Sequence, residues 1–473
     1  MKDFAVVGSG VGGSSIAAYL DAKGYDTVLF EKEPYLGGCS STFTHKGHAY
    51  NTGATTLAGY EEGHLVKKTF DAIGFTPKLI PTDPAIVIIQ GDKTVPRYQD
   101  LDTYLTVLQE HHPHPKHREF WTLVHTIGKK FYAMHGHYYA NSNLLSKGLS
   151  LLSYLPLFFK FQKYLRKNAY DFIQDFYQDI STPYQEFLEA QIMIVAQAHS
   201  KEINFLTAAL SLGYTFNKNH YAVGGMGRVF DDMTASMKDV RVKCEIKKIE
   251  HTNDCFLLHT DNETIKAKTL ILNATVYDST KLFKERQIKE YYKKYEHLQN
   301  YQSSFMLYMT IKSEDDFFHH YQIIQEKKLP FTLSNALFVS FSDKSDNTIS
   351  PHGHYSITAS IHTDSRWWDK KENYSQQKTE LKHRILNIIC DTLTIKETQV
   401  LHTFAATPKT FDRYIKRSQL GGNPITMRNF LPRLPGNDTP VKDLFHVGDT
   451  VYAAQGWPGV MLGVHNLKKL LNV

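Results

Sequence analysis

An α/β architecture of more than one domain is what the sequence predicts, and three observations carry it. A short apolar run, Phe4–Val7, leads through a glycine-rich turn into a helical stretch that reaches about Lys23, with Gly24 as its cap. A second apolar run, Thr27–Phe30, ends on an acid, Glu31. Near the other end Leu444–Val447 again reads as a strand, followed by Gly448-Asp449, a loop and a helix that opens near Pro458-Gly459-Val460. Parallel strands buried on both faces look like such short, continuous apolar runs. With 473 residues, 42% hydrophobic and 22% charged, the chain has the length for two or three domains and an ordinary globular composition.

Several classes are set aside by the same reading. The four cysteines, at 39, 244, 255 and 390, are too few and too scattered for a disulfide framework, and none stands in a Cys-x-x-Cys pair. A reducing, cytoplasmic setting is expected. The net charge of +6 is spread among interspersed acids and bases, so nucleic acid is not an expected partner, while anionic lipid remains open. Met-Lys-Asp runs directly into Phe4, without the basic and long apolar regions of a secretory signal, and export is not expected.

The first turn reads Gly8-Ser9-Gly10-Val11-Gly12-Gly13. Gly8 permits the tight turn, Gly10 lets backbone approach a pyrophosphate, Gly13 lets helix and strand pack closely, and the helix N-terminus favours phosphate charge. Glu31 falls eighteen residues after Gly13, near the spacing at which an acid accepts hydrogen bonds from an adenosine ribose. Strand, turn, helix, second strand and acid follow in register, which predicts a Rossmann-like dinucleotide-binding unit. The sequence contains no second complete fingerprint for a separate pyridine-nucleotide domain. In a flavoprotein the terminal Pro458-Gly459-Val460 helix start would aim N–H groups at the flavin, with Asp449 holding the ribityl chain. A plain final strand–helix unit is the alternative, since Gly, Pro and Asp also build turns.

Seven segments in order resemble one family, the FAD-dependent carotenoid desaturases, carotenoid isomerases and retinol saturases within the amine-oxidase-like flavoproteins. They are VVGSGVGG at 6–13, Glu31 with Gly37-Gly38, TFTHKGHAYNTGATTLAG at 42–59, YAVGGMGRVFDDM at 221–233, LILNATVYD at 270–278, ATPKTFDRY at 406–414 and GDTVYAAQGWPGV at 448–460. The resemblance implies FAD as cofactor, held by Gly8, Gly10, Gly12, Gly13, Glu31, Lys32, Gly37, Gly38, Cys39, Ser40, Ile246, Gly448, Asp449, Pro458, Gly459 and Val460. Ile246 would lie along the adenine, in a hairpin made by alternating residues 242–250 and 255–260. Leu270–Ala274 would complete the dinucleotide-binding half. Two positions depart from the family, Asn51 where many members carry Asp and Cys39 where others carry Arg. Cys39 then reads as a small residue beside the cofactor, the alternative being a thiol activated by a helix N-terminus.

The layout that follows is discontinuous. Residues 1–80, 220–290 and 430–473 would form the FAD-binding domain, and 81–219 with 291–429 an α+β substrate domain with a mixed sheet. Alternation at 303–310 and 354–360 predicts strands of that sheet; block 85–215 reads as mostly helical and aromatic. Within it, 144–167 is apolar and basic, too short to span a bilayer and interrupted by Pro156. A wheel from Leu157 puts Leu157, Phe158, Phe161 and Leu165 on one face and Lys160, Lys163, Arg166 and Lys167 on another. That face would either enter a membrane surface peripherally or pack on the protein core. HHPHPKH at 111–117, His319-His320 and His362 lack the spacing of a ligand set, and no metal is expected.

Function follows as an expectation: oxidoreduction at carbon–carbon double bonds of a long apolar isoprenoid or polyene, by desaturation, saturation or isomerisation. GGCSSTF with NTGATT stands closer to the saturase and isomerase branches. Hydride exchange with a flavin demands no strong acid or base, so no catalytic residue is assigned; side chains of the flavin-facing loop, such as Thr55 and Thr56, are candidates. Amine oxidation and non-catalytic escort of a prenyl lipid are the alternatives.

Overall fold

The structure, a computed structural model, describes every residue of the chain except 135, 142, 143, 253, 371, 418, 430–432 and 453–455. Two seven-stranded sheets frame it. In the first, Lys2–Val7 pairs in parallel with Thr27–Phe30 on one side and Thr264–Leu272 on the other, and Thr27–Phe30 continues to the short strand Val240–Arg241. Thr264–Leu272 is longer than the run expected at 270–274. Its first half pairs antiparallel with Phe256–His259, which pairs with Lys248–His251, while its second half takes Leu444–His446 in parallel. The extra residues are a half-buried stretch in which only Ile265 and Ala267 point inward, an alternation the sequence displays. The expected hairpin strand at 242–250 begins only at Lys248, because 242–247 is irregular and Lys243 takes a positive φ of 52°.

The parallel strands are apolar throughout because both faces are covered. On one side Val6, Leu29 and Ile271 pack on Ile16 and Leu20 of the helix Val11–Ala22, Phe230 of Met226–Thr234, and Met461 and Val464 of Gly456–Leu471. On the other, Ala5, Val28, Leu270 and Leu272 pack on Ile288, Tyr291 and Tyr292 of Arg286–Lys293. The carboxyl ends of four parallel strands, Val7, Phe30, Leu272 and His446, therefore share one edge, the edge at which ligands bind in open α/β sheets.

The second sheet runs Val400–Ala406, Gln302–Lys312, His354–Asp364, Ala336–Phe341, His320–Ile324, Ile86–Gln90, Lys93–Arg97. It is antiparallel except where His320–Ile324 meets Ile86–Gln90 in parallel. The expected strands at 303–310 and 354–360 are both present, slightly longer. The block read as mostly helical from residue 85 opens instead with a hairpin turning at Gly91, φ +60°. Its apolar, β-branched run Ile86–Ile89 is too short for a buried helix. From Leu101 to Gly213 helices follow, around a core that includes Phe120, Trp121, Tyr184 and Phe187.

One of these helices, Leu144–Leu165, runs through Pro156 rather than stopping there. Its phase also differs from the expected one. Phe161, Tyr164 and Ser150 face inward, whereas Phe158 and Phe159 stand on the outside with Leu144, Leu145, Leu149, Leu151 and Leu152. No described helix is long and apolar enough to cross a membrane. The histidines of 111–117 sit in the turn between the helices Leu101–His111 and His117–Tyr132, where His117 Nδ1 shares a hydrogen bond with Tyr177 Oη at 3.1 Å.

Candidate functional site

Two glycine turns face each other at the carboxyl edge of the parallel sheet. In the first, Gly8 holds φ at +98° and its N–H donates to the Phe30 carbonyl at 2.8 Å. A Cβ on Gly13 would stand 2.0 Å from the Gly8 carbonyl oxygen, so helix and strand pack more closely than any other residue allows. Gly10 caps the helix Val11–Ala22, and Gly12 lies on its first turn. The second turn has Gly37 at φ +103° and Gly38 at +56°. Ser9 ties the two together, since the Gly37 N–H donates to the Ser9 carbonyl and to Ser9 Oγ, each at 3.1 Å. The only described atom within 4 Å of a Cβ placed on Gly38 is Gly10 Cα, at 3.8 Å. The turns thus lie against each other at this edge, with Gly38 facing Gly10.

Glu31 is nearly buried at the end of its strand. Its Oε2 accepts from Ser9 N–H at 3.0 Å and Ser9 Oγ at 2.6 Å, and Oε1 accepts from Glu33 N–H at 3.0 Å. A carboxylate has about four acceptor positions, so capacity remains for a ribose hydroxyl. Lys32 is turned away, with Nζ on Glu33 Oε1 at 2.7 Å and on the Tyr414 carbonyl. Cys244 N–H donates to the Glu31 carbonyl at 2.8 Å, which holds the irregular stretch carrying the buried Ile246 against the strand end. Asn273, which the motifs did not single out, closes the first turn. A Cβ on Gly10 would meet its Nδ2 at 2.7 Å, and one on Gly448, φ +126°, its Oδ1 at 3.1 Å. Its only sequence signal is a lone amide after a buried apolar strand.

Cys39 and Ser40 lie on the short helical turn Gly38–Ser40, with Ser40 buried. Burial pushes the Cys39 thiol up, against the pull of Arg417. The Arg417 Nη2 in turn donates to both carboxylate oxygens of Asp449, at 3.0 and 2.8 Å. A cation therefore stands beside position 39 although residue 39 itself is neutral. Asn51, the other departure, accepts from the N–H of Met226 at 2.8 Å and from Thr42 Oγ1 at 2.9 Å, so its neutral oxygen serves the start of the helix Met226–Thr234. Pro458, Gly459 and the buried Val460 lie on the first turns of Gly456–Leu471, beside Trp457, which stacks on Phe230 with ring centroids 5.6 Å apart.

Thr55 and Thr56 enter a buried polar network from the loop that follows Cys39, where Ala54 N–H donates to the Cys39 carbonyl at 3.2 Å. Thr56 Oγ1 is hydrogen-bonded to His320 Nε2, His320 Nδ1 to Ser340 Oγ at 2.9 Å, and Ser340 Oγ to Thr55 Oγ1 at 2.8 Å. His319 Nε2 meets the Thr55 carbonyl at 3.3 Å, and the edge of its ring faces Tyr221, whose hydroxyl donates to Asp346 Oδ2 at 2.6 Å. Burial, and secondarily His319, holds the His320 imidazole well below its ordinary range, hence neutral. A neutral imidazole on a threonine hydroxyl can orient that hydroxyl and relay a proton through it.

The fold and the two glycine turns define a Rossmann-type α/β protein with a second, mixed sheet. A family model described as an NAD(P)-binding Rossmann-like domain matches residues 6–73. Across 96% of the chain it is 22% identical to the chloroplastic prolycopene isomerase of Daucus carota, covering 77% of that protein. It is 31% identical to the human all-trans-retinol 13,14-reductase over 24% of the chain and 19% of the reductase. An oxidoreductase from Methanosarcina mazei shares the fold, with a TM-score of 0.65, 16% identity and coverage of 98% of this chain and 99% of the other. Over nearly its full length the chain is thus similar to prolycopene isomerases, and over about a quarter of it to a retinol reductase, in keeping with the family that its motifs resemble.

Proposed function

We propose that the protein is an FAD-dependent oxidoreductase acting on carbon–carbon double bonds of a long apolar isoprenoid or polyene. The observation that carries this is the pair of glycine turns at the carboxyl edge of the parallel sheet, with Gly8 at φ +98° and Gly37 at +103° beside the buried Glu31, in a chain alike over nearly its full length to a prolycopene isomerase. In this reading residues 1–80, 220–290 and 430–473 form the cofactor unit and the remainder the substrate unit. The first turn takes the pyrophosphate and Glu31 the ribose. Gly37–Ser40 and Gly448-Asp449 line the path toward the flavin, and the start of the Gly456–Leu471 helix faces its pyrimidine edge. Bound FAD would supply hydride exchange with a substrate carbon. Thr56, set by His320, holds or moves the accompanying proton at its Oγ1.

The outer face of Leu144–Leu165 serves substrate entry. Leu144, Leu145, Leu151 and Phe159 are each more than two-thirds exposed, and the exposed Lys160, Lys163, Arg166 and Lys167 follow at the carboxyl end. Leucines and phenylalanines beside a basic cluster suit the acyl–headgroup boundary of an anionic membrane, where a water-insoluble polyene resides. The test of function is the absorption spectrum of the purified protein, followed by release of FAD on denaturation. A yellow protein with FAD that bleaches or reoxidises on anaerobic addition of a poly-cis carotene or retinol is expected. A colourless protein without FAD would sink the enzyme reading in favour of a lipid-binding escort.

A further inference from the structure

We propose that Arg417 is a cofactor-binding residue whose guanidinium, pre-set by Asp449, meets the pyrophosphate of the dinucleotide between the two glycine turns. The proposal rests on the cofactor reading above and adds to it a cation from a segment that no motif of the dinucleotide fold includes. Arg417 follows the helix Pro408–Ile415, which packs beside the second sheet, yet its side chain reaches the edge of the first. That side chain is only 16% exposed, and Asp449 only 22%.

The donor inventory is what separates this arginine from an ordinary ion pair. A guanidinium carries five N–H donors. Nη2 is spent on the two oxygens of Asp449 and Nε donates to the Gln419 carbonyl at 2.7 Å. Among the described residues no acceptor takes the Nη1 donors. Donors without a protein acceptor can take one from a ligand, and a planar fork of N–H groups matches a phosphate.

The neighbours say where that acceptor belongs. Asp449 follows Gly448, whose missing Cβ faces Asn273 at the first turn, and Cys39 follows Gly38, whose missing Cβ faces Gly10. Through its bond to Asp449 the Arg417 guanidinium is held at the Gly448 side of the first turn, and it is near enough to the second turn to act on the Cys39 thiol. Burial opposes its charge, but the Asp449 carboxylate outweighs burial and the guanidinium stays protonated. Since Asp449 holds Nη2 from one side, the other edge of the fork is preset before any ligand arrives, and little rotamer freedom is lost on binding.

Equilibrium dialysis of the apoprotein against FAD and against ADP, which has the diphosphate without the flavin, tests the assignment. Arg417→Gln should weaken both about tenfold or more, with a flatter salt dependence and an apoprotein melting temperature near that of the unsubstituted protein. Unchanged affinity for both overturns the proposal. So does loss of FAD affinity with ADP affinity intact, which would put the guanidinium at the flavin end. Should Arg417→Gln fail to fold, Arg417→Lys decides, because it keeps the charge and loses the fork: weakening of both ligands supports the proposal and unchanged binding overturns it. An unsubstituted protein that binds neither ligand refutes the cofactor reading itself.

Discussion

Cys39 shows how little a residue's chemistry follows from its name. It lies between two glycine turns, beside a buried cation, in a place that would suit a reactive thiol. Burial nevertheless pushes its pKa up, and Arg417 offsets this only in part because Asp449 draws on the same charge. Only the thiolate is a nucleophile, so iodoacetamide should label Cys39 at pH 7.5 more slowly than a free cysteine. Cys39→Ser should keep FAD and turnover; fast labelling, or a variant that binds FAD and does not turn over, would contradict this. At this scale the glycines and Glu31 were legible because local geometry demands them, one residue type per dihedral or per close approach. Asn273, Arg417 and His320 were not, since each reaches the site from a distant segment and no spacing within the sequence expresses that. Nothing in the pair His319-His320 as a sequence names its partners; Thr56 and Ser340 as the partners of His320 needed the fold.

The helix Leu144–Leu165 was legible as amphipathic and basic, and illegible in phase. Its first turns carry leucine on nearly every side, so a 3.6-residue period has no polar stripe against which to fix the inward face. Packing against Phe131 and Phe205 decides it, by taking Phe161 and Tyr164 inward. Pro156 lies on the exposed side, where the N–H it lacks leaves the Leu152 carbonyl to water rather than orphaned in a core. Substitutions on the outer and inner faces should therefore do opposite things. Phe161→Ala opens the core and should cost about 3–5 kcal/mol of stability in denaturant unfolding. Phe158→Ser with Phe159→Ser should leave stability nearly unchanged and abolish flotation with vesicles containing phosphatidylglycerol. Flotation that survives the double variant would mean that the exposed face serves something other than lipid.

At the scale of the whole molecule, buried neutral histidines set the response to acid. Burial pushes His112, His117 and His362 down to about 4 and His446 to about 3. Their unfolded values lie near 6.5, so below that pH the unfolded chain takes up protons that the fold refuses. Stability is fully present above about pH 6.5 and is lost progressively toward pH 4, at up to about 1.4 kcal/mol per pH unit for each group. Melting temperature should fall clearly between pH 7.5 and 5, and His446→Gln should make the fall shallower by about one proton. A flat profile would show that these rings find charge partners that the fold does not display. The α/β class and the resemblance to the carotenoid-modifying family were readable at this scale because strand, turn and helix are local. The hairpin Ile86–Arg97 was missed because a short apolar run takes its identity from the neighbour it pairs with, here the strand His320–Ile324, more than two hundred residues away.

The parallel sheet is assembled from strands at 2–7, 27–30, 240–272 and 444–446. A ribosome adding about 5–20 residues per second needs roughly 20–90 s between the first of these strands and the last. Through that interval the apolar face later covered by Gly456–Leu471 has no partner helix, so the sheet that carries both glycine turns closes only when its last strand and helix have been made.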